Sequence, residues 1–304
     1  MEIHRFRPRG LAGGKRSAAG TIRTTNMGAG VRRPSALVQR PVVASRLRGR
    51  VRTRPIRRRA VTNRLNIHIE KTRENFAASV AEKLADILLR ATKAGTDGSL
   101  VLSGGNTPRG VYRLLGSGPL SERLPWDRIH LFFGDERMVP PDHPDSNFGM
   151  ARQELIDRVP IPAGNVHRIH GELPPEDAAR QYASELQKSF GEGSPRFDCV
   201  LLGIGEDGHT ASLFPGTDAL SEREKSVTAL FVPRLNAWRV TMTFPALNNA
   251  HNVIFLAEGE QKAPVLRKLI ESPAPTPELP ATMIRPHSGQ LFWMLDSAAA
   301  SFIR

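Results

Sequence analysis

The hydrophobic pattern changes character near residue 65. Before it, apolar residues show no sustained spacing. Beyond it, short apolar runs alternate with stretches whose apolar residues recur every three or four positions, the signatures of buried strands and one-sided helices. Asn66 to Ile69 reads as a first strand, and Phe76, Val80, Leu84, Ile87 and Leu88 then fall on one helical face. Ser99 to Leu102 is a short buried strand running into Ser103-Gly-Gly-Asn-Thr-Pro108, where Pro108 suits the first turn of a helix that continues through Leu115. The same reading predicts strands at 128–133, 166–169, 197–202, 239–244, 252–256 and 290–295, with helices near 146–157, 176–190, 260–271 and 297–303. Strands separated by helices imply an α/β fold with a mostly parallel sheet covered on both faces.

Charge sharpens the boundary. The chain of 304 residues carries +13, but residues 1–64 hold 17 Arg, one Lys and a single acid, Glu2, which leaves −4 for residues 65–304. The expected organisation is therefore a basic, disordered extension over 1–64 and a mildly acidic globular domain over 65–304. Three readings of the extension stand in order: a dispensable start-site extension, an organelle transit peptide, and a nucleic-acid arm. The transit reading lacks a clear amphipathic helix, and the arm lacks the aromatics that stack on bases. The single cysteine, Cys199, sits inside an apolar strand, which excludes an internal disulfide and suits a reducing compartment; the cytoplasm is expected, with organelle import as the alternative. The longest apolar runs are strand-sized, so no membrane span is expected.

Three strand-to-loop junctions carry candidate chemistry. At Ser103-Gly-Gly-Asn-Thr-Pro108, Gly104, Gly105, Asn106 and Thr107 precede a helix whose free N–H groups and dipole suit an anion. A tight turn with Thr107 as helix cap is an equal reading of this segment alone. Gly134-Asp-Glu-Arg137, followed by Asn147, places Asp135, Glu136 and Arg137 directly after a buried strand, where an arginine can hold an anion; a solvated ion-pair cluster is the plainer reading. Gly203-Ile-Gly-Glu-Asp-Gly208 matches a dinucleotide fingerprint in form, but His209 and Pro215-Gly216 leave little room for the helix such a site needs. His209 is a candidate general base with Asp207 beside it. No G-x-S-x-G elbow and no H-E-x-x-H helix occurs, and the nine histidines are scattered, which argues against a metal site.

In their order along the chain, Leu102-Ser-Gly-Gly-Asn-Thr-Pro108, Gly134-Asp-Glu-Arg-Met-Val-Pro140 with Ser146-Asn147, and Gly203-Ile-Gly-Glu-Asp-Gly-His-Thr-Ala-Ser-Leu-Phe-Pro-Gly216 resemble the 6-phosphogluconolactonases. Arg239-Val-Thr-Met-Thr-Phe-Pro245 with Leu247-Asn248, Gly259-Glu-Gln-Lys262 and Trp293-Met-Leu-Asp296 extend the resemblance over residues 65–304. It implies a Rossmann-like fold shared with glucosamine-6-phosphate deaminases and ribose-5-phosphate isomerases. It also implies hydrolysis of 6-phosphogluconolactone without metal or organic cofactor. His209 is then the base, Asp207 its support, and Arg137 a partner of the oxyanion or hydroxyls. Gly104, Gly105, Asn106, Thr107, Lys262 and Arg239 would hold the phosphate, with Asp135, Glu136 and Asn147 as further substrate-site candidates. The deaminases, the runner-up, typically carry Asp-Glu-Tyr where this chain has Asp135-Glu136-Arg137, and a glutamate in a run that reads Thr210-Ala-Ser-Leu-Phe-Pro215 here.

Overall fold

Five consecutive buried positions, Gly98 to Leu102, mark a strand with no solvent face, which only a sheet covered on both sides accommodates. The computed structural model describes residues 66–93 and 96–303, and the expectations for residues 1–64 lie outside the described residues. The strands are β1 (Asn66–Glu70), β2 (Gly98–Leu102), β3 (Ile129–Phe133), β4 (Asp135–Arg137), β5 (Cys199–Gly203), β6 (Val227–Val232), β7 (Ala237–Met242), β8 (Asn252–Ala257) and β9 (Gln290–Asp296). The helices are α1 (Arg73–Lys93), α2 (Thr107–Leu115), α3 (Gly118–Arg123), α4 (Asn147–Glu154), α5 (Pro175–Phe190), α6 (Phe244–Leu247) and α7 (Ala263–Glu271). Six strands form a parallel sheet in the order β1-β9-β8-β5-β2-β3, and three form an antiparallel sheet in the order β4-β7-β6.

Neighbouring side chains on β3 show both faces covered. Successive strand residues point to opposite sides, and Phe132 meets Phe190 of α5 while Phe133 meets Phe148 of α4, with ring centroids 5.4 and 5.8 Å apart. Phe132 also packs edge-on against Phe197 and flat against His167, so Phe132→Ala would cost about 3–5 kcal/mol. The aliphatic face predicted for α1 is real: Phe76, Val80, Leu84 and Leu88 are buried. Cys199 is fully buried, and that burial pushes its thiol far up, as an inert core residue requires.

Several expectations are corrected. Residues 166–169 do not form a strand; Val166 makes one isolated bridge to Leu131. Residues 297–303 form turns tied back by Asp296, whose carboxylate accepts from the Ala299 and Gly259 N–H groups at 2.7 and 3.1 Å. The segment around Arg239 belongs to the antiparallel sheet and not to the parallel one. Gly134 is where the chain changes sheets: its N–H donates to Leu102 of the large sheet at 3.0 Å, and its carbonyl accepts from Met242 of the small one at 2.8 Å.

Candidate active site

The ends of β2, β3 and β5 open on one cleft of about 230 Å³, lined by residues 103–108, Asp135, Arg137, Asn147, Gly203, Ile204, Gly205, His209, Ala211, Leu256 and Lys262. This is the carboxyl edge of the parallel strands, where α/β sheets bind ligands. A groove of about 740 Å³ between α5 and β6 is larger, but its lining holds no histidine.

The first wall is the turn from β2 into α2. Tyr112, on the second turn of α2, reaches back with its hydroxyl, accepting from the Ser103 N–H and donating to the Ser103 carbonyl, both at 2.8 Å. Burial raises that phenol far above its ordinary range, so it stays protonated and able to donate. The Ser103 hydroxyl accepts from the Gly203 N–H at 3.2 Å and so ties this turn to the third. Thr107 is the first helical residue and not the cap; Asn106 precedes it and makes no side-chain cap bond. Pro108 brings no N–H and the Arg109 N–H donates to the Asn106 carbonyl at 3.2 Å, so an anion here would rely on the N–H groups ahead of Pro108 and on the helix dipole. Gly104 is required by packing, because a Cβ there would lie 1.8 Å from Asn147 Oδ1.

The second wall is β4. Alternation along this strand sends Asp135 and Arg137 into the cleft and Glu136 the other way. The Ser212 hydroxyl donates to Asp135 Oδ2 at 2.6 Å, and the Asn147 amide donates to its carbonyl at 2.9 Å. Arg137 gives one nitrogen to the Asp145 carbonyl at 2.6 Å, and its buried Nε has no partner. The placement of Glu136 in the substrate site is corrected. It is 2% exposed and accepts from the N–H groups of Arg137, Asn147 and Phe148 at 2.7–2.8 Å, bracing the start of α4. Burial raises its carboxyl, and those three N–H bonds oppose the rise. Arg239 stands opposite Arg137 across the β4–β7 ladder, where facing residues share one side of the sheet, and it is not among the residues that line the cleft. Burial first, and then the charge of Arg137, push its guanidinium down.

The third wall is the turn after β5. The Gly205 N–H donates to the His209 carbonyl at 2.9 Å, the Gly208 N–H donates to the Gly205 carbonyl at 3.0 Å, and the Thr210 hydroxyl holds the Gly203 carbonyl at 2.8 Å. Gly208 takes φ +78, which only glycine adopts freely, and Ala211 takes φ +48, an uncommon conformation for a residue with a Cβ. His209 Nδ1 lies 2.5 Å from Asp207 Oδ1, and its ring rests 4.1 Å from that of Phe214. Burial alone would raise the Asp207 carboxyl, but the His209 hydrogen bond and charge, with Arg234, hold it at about 2. An ionised carboxylate only accepts, so Nδ1 carries the proton and Nε2 keeps the lone pair. A Cβ at Gly205 would fall 1.9 Å from Nδ1, so this glycine makes room for the imidazole.

The structure thus brings Gly104, Gly105, Asn106, Thr107, Asp135, Arg137, Asn147, His209 and Lys262 to one cleft, with Asp207 behind His209. Sequence reasoning missed Arg234. It lies in the turn of the β6–β7 hairpin, and its Nη1 is 2.7 Å from Asp207 Oδ2. The hairpin had a legible signal in the run Val227-Thr-Ala-Leu-Phe-Val232 before Pro233 and Asn236, but nothing local shows where its tip lands. Two other residues quoted for the resemblance, Asn248 and Asp296, act as braces: the Asn248 amide bonds Arg285 and Met283, and Asp296 bonds Gly259 and Ala299. Among the described residues no helix is long and apolar enough to cross a membrane, and no three or more His, Cys, Asp and Glu gather as a ligand set.

A parallel α/β sheet with its polar turns at the carboxyl edge sets the class, and sequence comparison sets the family. The chain belongs to the glucosamine-6-phosphate isomerases/6-phosphogluconolactonase family, whose profile matches residues 71–293. It is 48% identical over 178 residues to a 6-phosphogluconolactonase of Homo sapiens, spanning 58% of this chain and 69% of that protein. It is 40% identical over 232 residues to one from Synechocystis, spanning 74% and 94%. The solved 6-phosphogluconolactonase from Trypanosoma cruzi matches with a TM-score of 0.70 at 31% identity, over 79% of this chain and 97% of that one.

Proposed function

We propose that this chain hydrolyses 6-phosphogluconolactone to 6-phosphogluconate, the second step of the oxidative pentose phosphate pathway, with His209 as the base that activates water. The observation that carries the reading is the His209–Asp207 pair at 2.5 Å, set in the same cleft as the start of α2 and Lys262. A six-membered lactone is an activated ester, so its hydrolysis asks for a positioned water and charge stabilisation more than for a covalent nucleophile. Water adds to the lactone carbonyl while Nε2 takes its proton. The ring C–O bond then breaks, and the proton passes to the departing ring oxygen, which leaves as a hydroxyl.

The phosphate dianion sits against Gly104, Gly105, Asn106 and Thr107 with Lys262, where helix dipole and ammonium act together. Arg137, with its unpartnered Nε, meets the developing oxyanion or the sugar hydroxyls. Arg239, on the same side of the sheet as Arg137, adds to the positive potential there, and Asp135 and Asn147 face the sugar. The catalytic unit is residues 65–304, and its single buried cysteine suits a reducing cytoplasm.

The test is loss of 6-phosphogluconolactone with the full chain, with a chain lacking residues 1–64, and in buffer alone. Both proteins should exceed the spontaneous rate equally, and His209→Ala should remove most of the gain. No acceleration over buffer would overturn this reading, and ammonia released from glucosamine 6-phosphate would replace it with the deaminase one.

A further inference from the structure

Arg234 belongs to the small sheet, yet it reaches the functional centre of the large one. It sits in the one-turn 3-10 segment Pro233–Leu235 at the tip of the β6–β7 hairpin, which closes with Asn236 in the left-handed conformation that asparagine tolerates. From there its Nη1 lies 2.7 Å from Asp207 Oδ2, its Nη2 3.5 Å from His209 Nδ1, and its Cζ 4.7 Å from the centre of the Phe214 ring. Phe214 is also the ring on which His209 rests. The two oxygens of Asp207 are therefore divided: Oδ2 goes to Arg234 and Oδ1 to His209.

Resting on the reading of His209 as base, we propose that Arg234 is a positioning residue, which by holding Asp207 Oδ2 fixes Asp207 Oδ1 on His209 Nδ1 and moderates the negative charge the imidazole feels. Arg234 meets Oδ2 as an ion pair and without hydrogen-bond geometry, and this charge contact restrains the carboxylate from rotating away from its histidine. The same cation draws charge from Asp207 and stands close to the ring itself. Both effects oppose the imidazolium form relative to an Asp207–His209 pair without the guanidinium. The charged groups facing the imidazole are Asp207 from its own turn and Arg234 from the hairpin; Asp135, Arg137 and Lys262 line the rest of the cleft. Half of the Arg234 side chain is exposed, so its removal opens no buried cavity.

The experiment uses the full chain and its Arg234→Ala and Arg234→Lys variants. His209 is followed by imidazole nitrogen NMR across pH, with the resonance assigned from His209→Asn, and kcat and KM for the lactone are measured over the same range. In Arg234→Ala the His209 titration and the acid limb of kcat/KM both move to higher pH. There kcat falls roughly 3- to 10-fold, as expected for a loosened base, with KM within about 2-fold. Arg234→Lys restores most of the pH shift but less of kcat, because an ammonium keeps the charge and loses the planar fork. An unmoved His209 titration in Arg234→Ala overturns the proposal. So does a raised KM with unchanged kcat, which would make Arg234 a substrate contact. Absence of lactone turnover in the unaltered chain would instead remove the functional reading, while the NMR titration still decides whether Arg234 governs the pair.

Discussion

The two sheets furnish the cleft by different means. On the parallel sheet, the turns after β2 and β5 hold their groups through main-chain atoms: Tyr112 on Ser103, the Ser103 hydroxyl on Gly203, and Thr210 on the Gly203 carbonyl. At Gly104 and Gly205 even a methyl group would strike a neighbour. The antiparallel sheet instead extends long cations, Arg137 from β4 and Arg234 from the tip of the β6–β7 hairpin, with Arg239 opposite Arg137. Like charges facing across a ladder are unfavourable until an anion arrives. One wall thus works by fixed geometry and the other by charge.

The sharpest way to break this comparison is to remove the base. His209→Ala is expected to lower kcat by about 10²–10⁴-fold in the lactone assay with a small change in KM, because the group lost acts in proton transfer. Gly205→Ala tests the geometric wall without touching a functional group. Its methyl displaces the imidazole, and kcat should fall about 10²-fold, as for misplacement of a reacting group by an ångström. If Gly205→Ala keeps full kcat, the wall is not rigid.

The charge wall and the phosphate end give a different signature. Lys262→Ala should raise KM roughly 10-fold or more through loss of a charge-assisted contact, whereas Arg239→Ala, across the ladder from Arg137 and outside the cleft lining, should raise it only about 2- to 3-fold. Equal effects would place Arg239 on the substrate. Glu136→Ala separates support from chemistry: its lost carboxylate strands three N–H groups, so urea denaturation should show roughly 2–3 kcal/mol less stability.

The smallest effect lies at the β3 edge of the parallel sheet. There His130 Nδ1 meets His167 Nε2 at 2.9 Å, and His167 Nδ1 meets Glu185 at 3.0 Å. Burial, and then the neighbouring His167, lower the affinity of His130 for a proton below its ordinary 6.5. The unfolded chain therefore binds that proton first as pH falls. The contribution is fully present above pH 6.5 and is lost on descending below it, and the urea midpoint should drop between pH 7.5 and 5.5. His130→Gln should flatten that drop.

Much of the fold was legible because parallel strands must be apolar throughout: the runs 99–102 and 197–202 read as strands, and the structure forms them at Gly98–Leu102 and Cys199–Gly203. What misled was local apolar content without partners. Val166 to Ile169 has strand-like residues, but only Val166 finds an edge to bridge. The three polar turns were legible as well, since glycine, proline and histidine at strand ends have few structural uses. The role of Glu136 was not, because a single residue of register decides whether a carboxylate faces ligand or helix.

The sequence by itself determined the strand–helix alternation, the three turns and the identity of His209 as candidate base, since each depends on residues within a few positions of one another. The tertiary structure alone decided that Gly134 passes the chain from one sheet to the other, that Glu136 supports α4, that Arg239 meets Arg137 across a ladder, and that Arg234, 27 positions beyond Asp207 in the chain, closes on its carboxylate. Those outcomes depend on how an antiparallel hairpin folds back over a parallel sheet. Such contacts between distant segments follow from packing and register and leave no periodic trace along the chain.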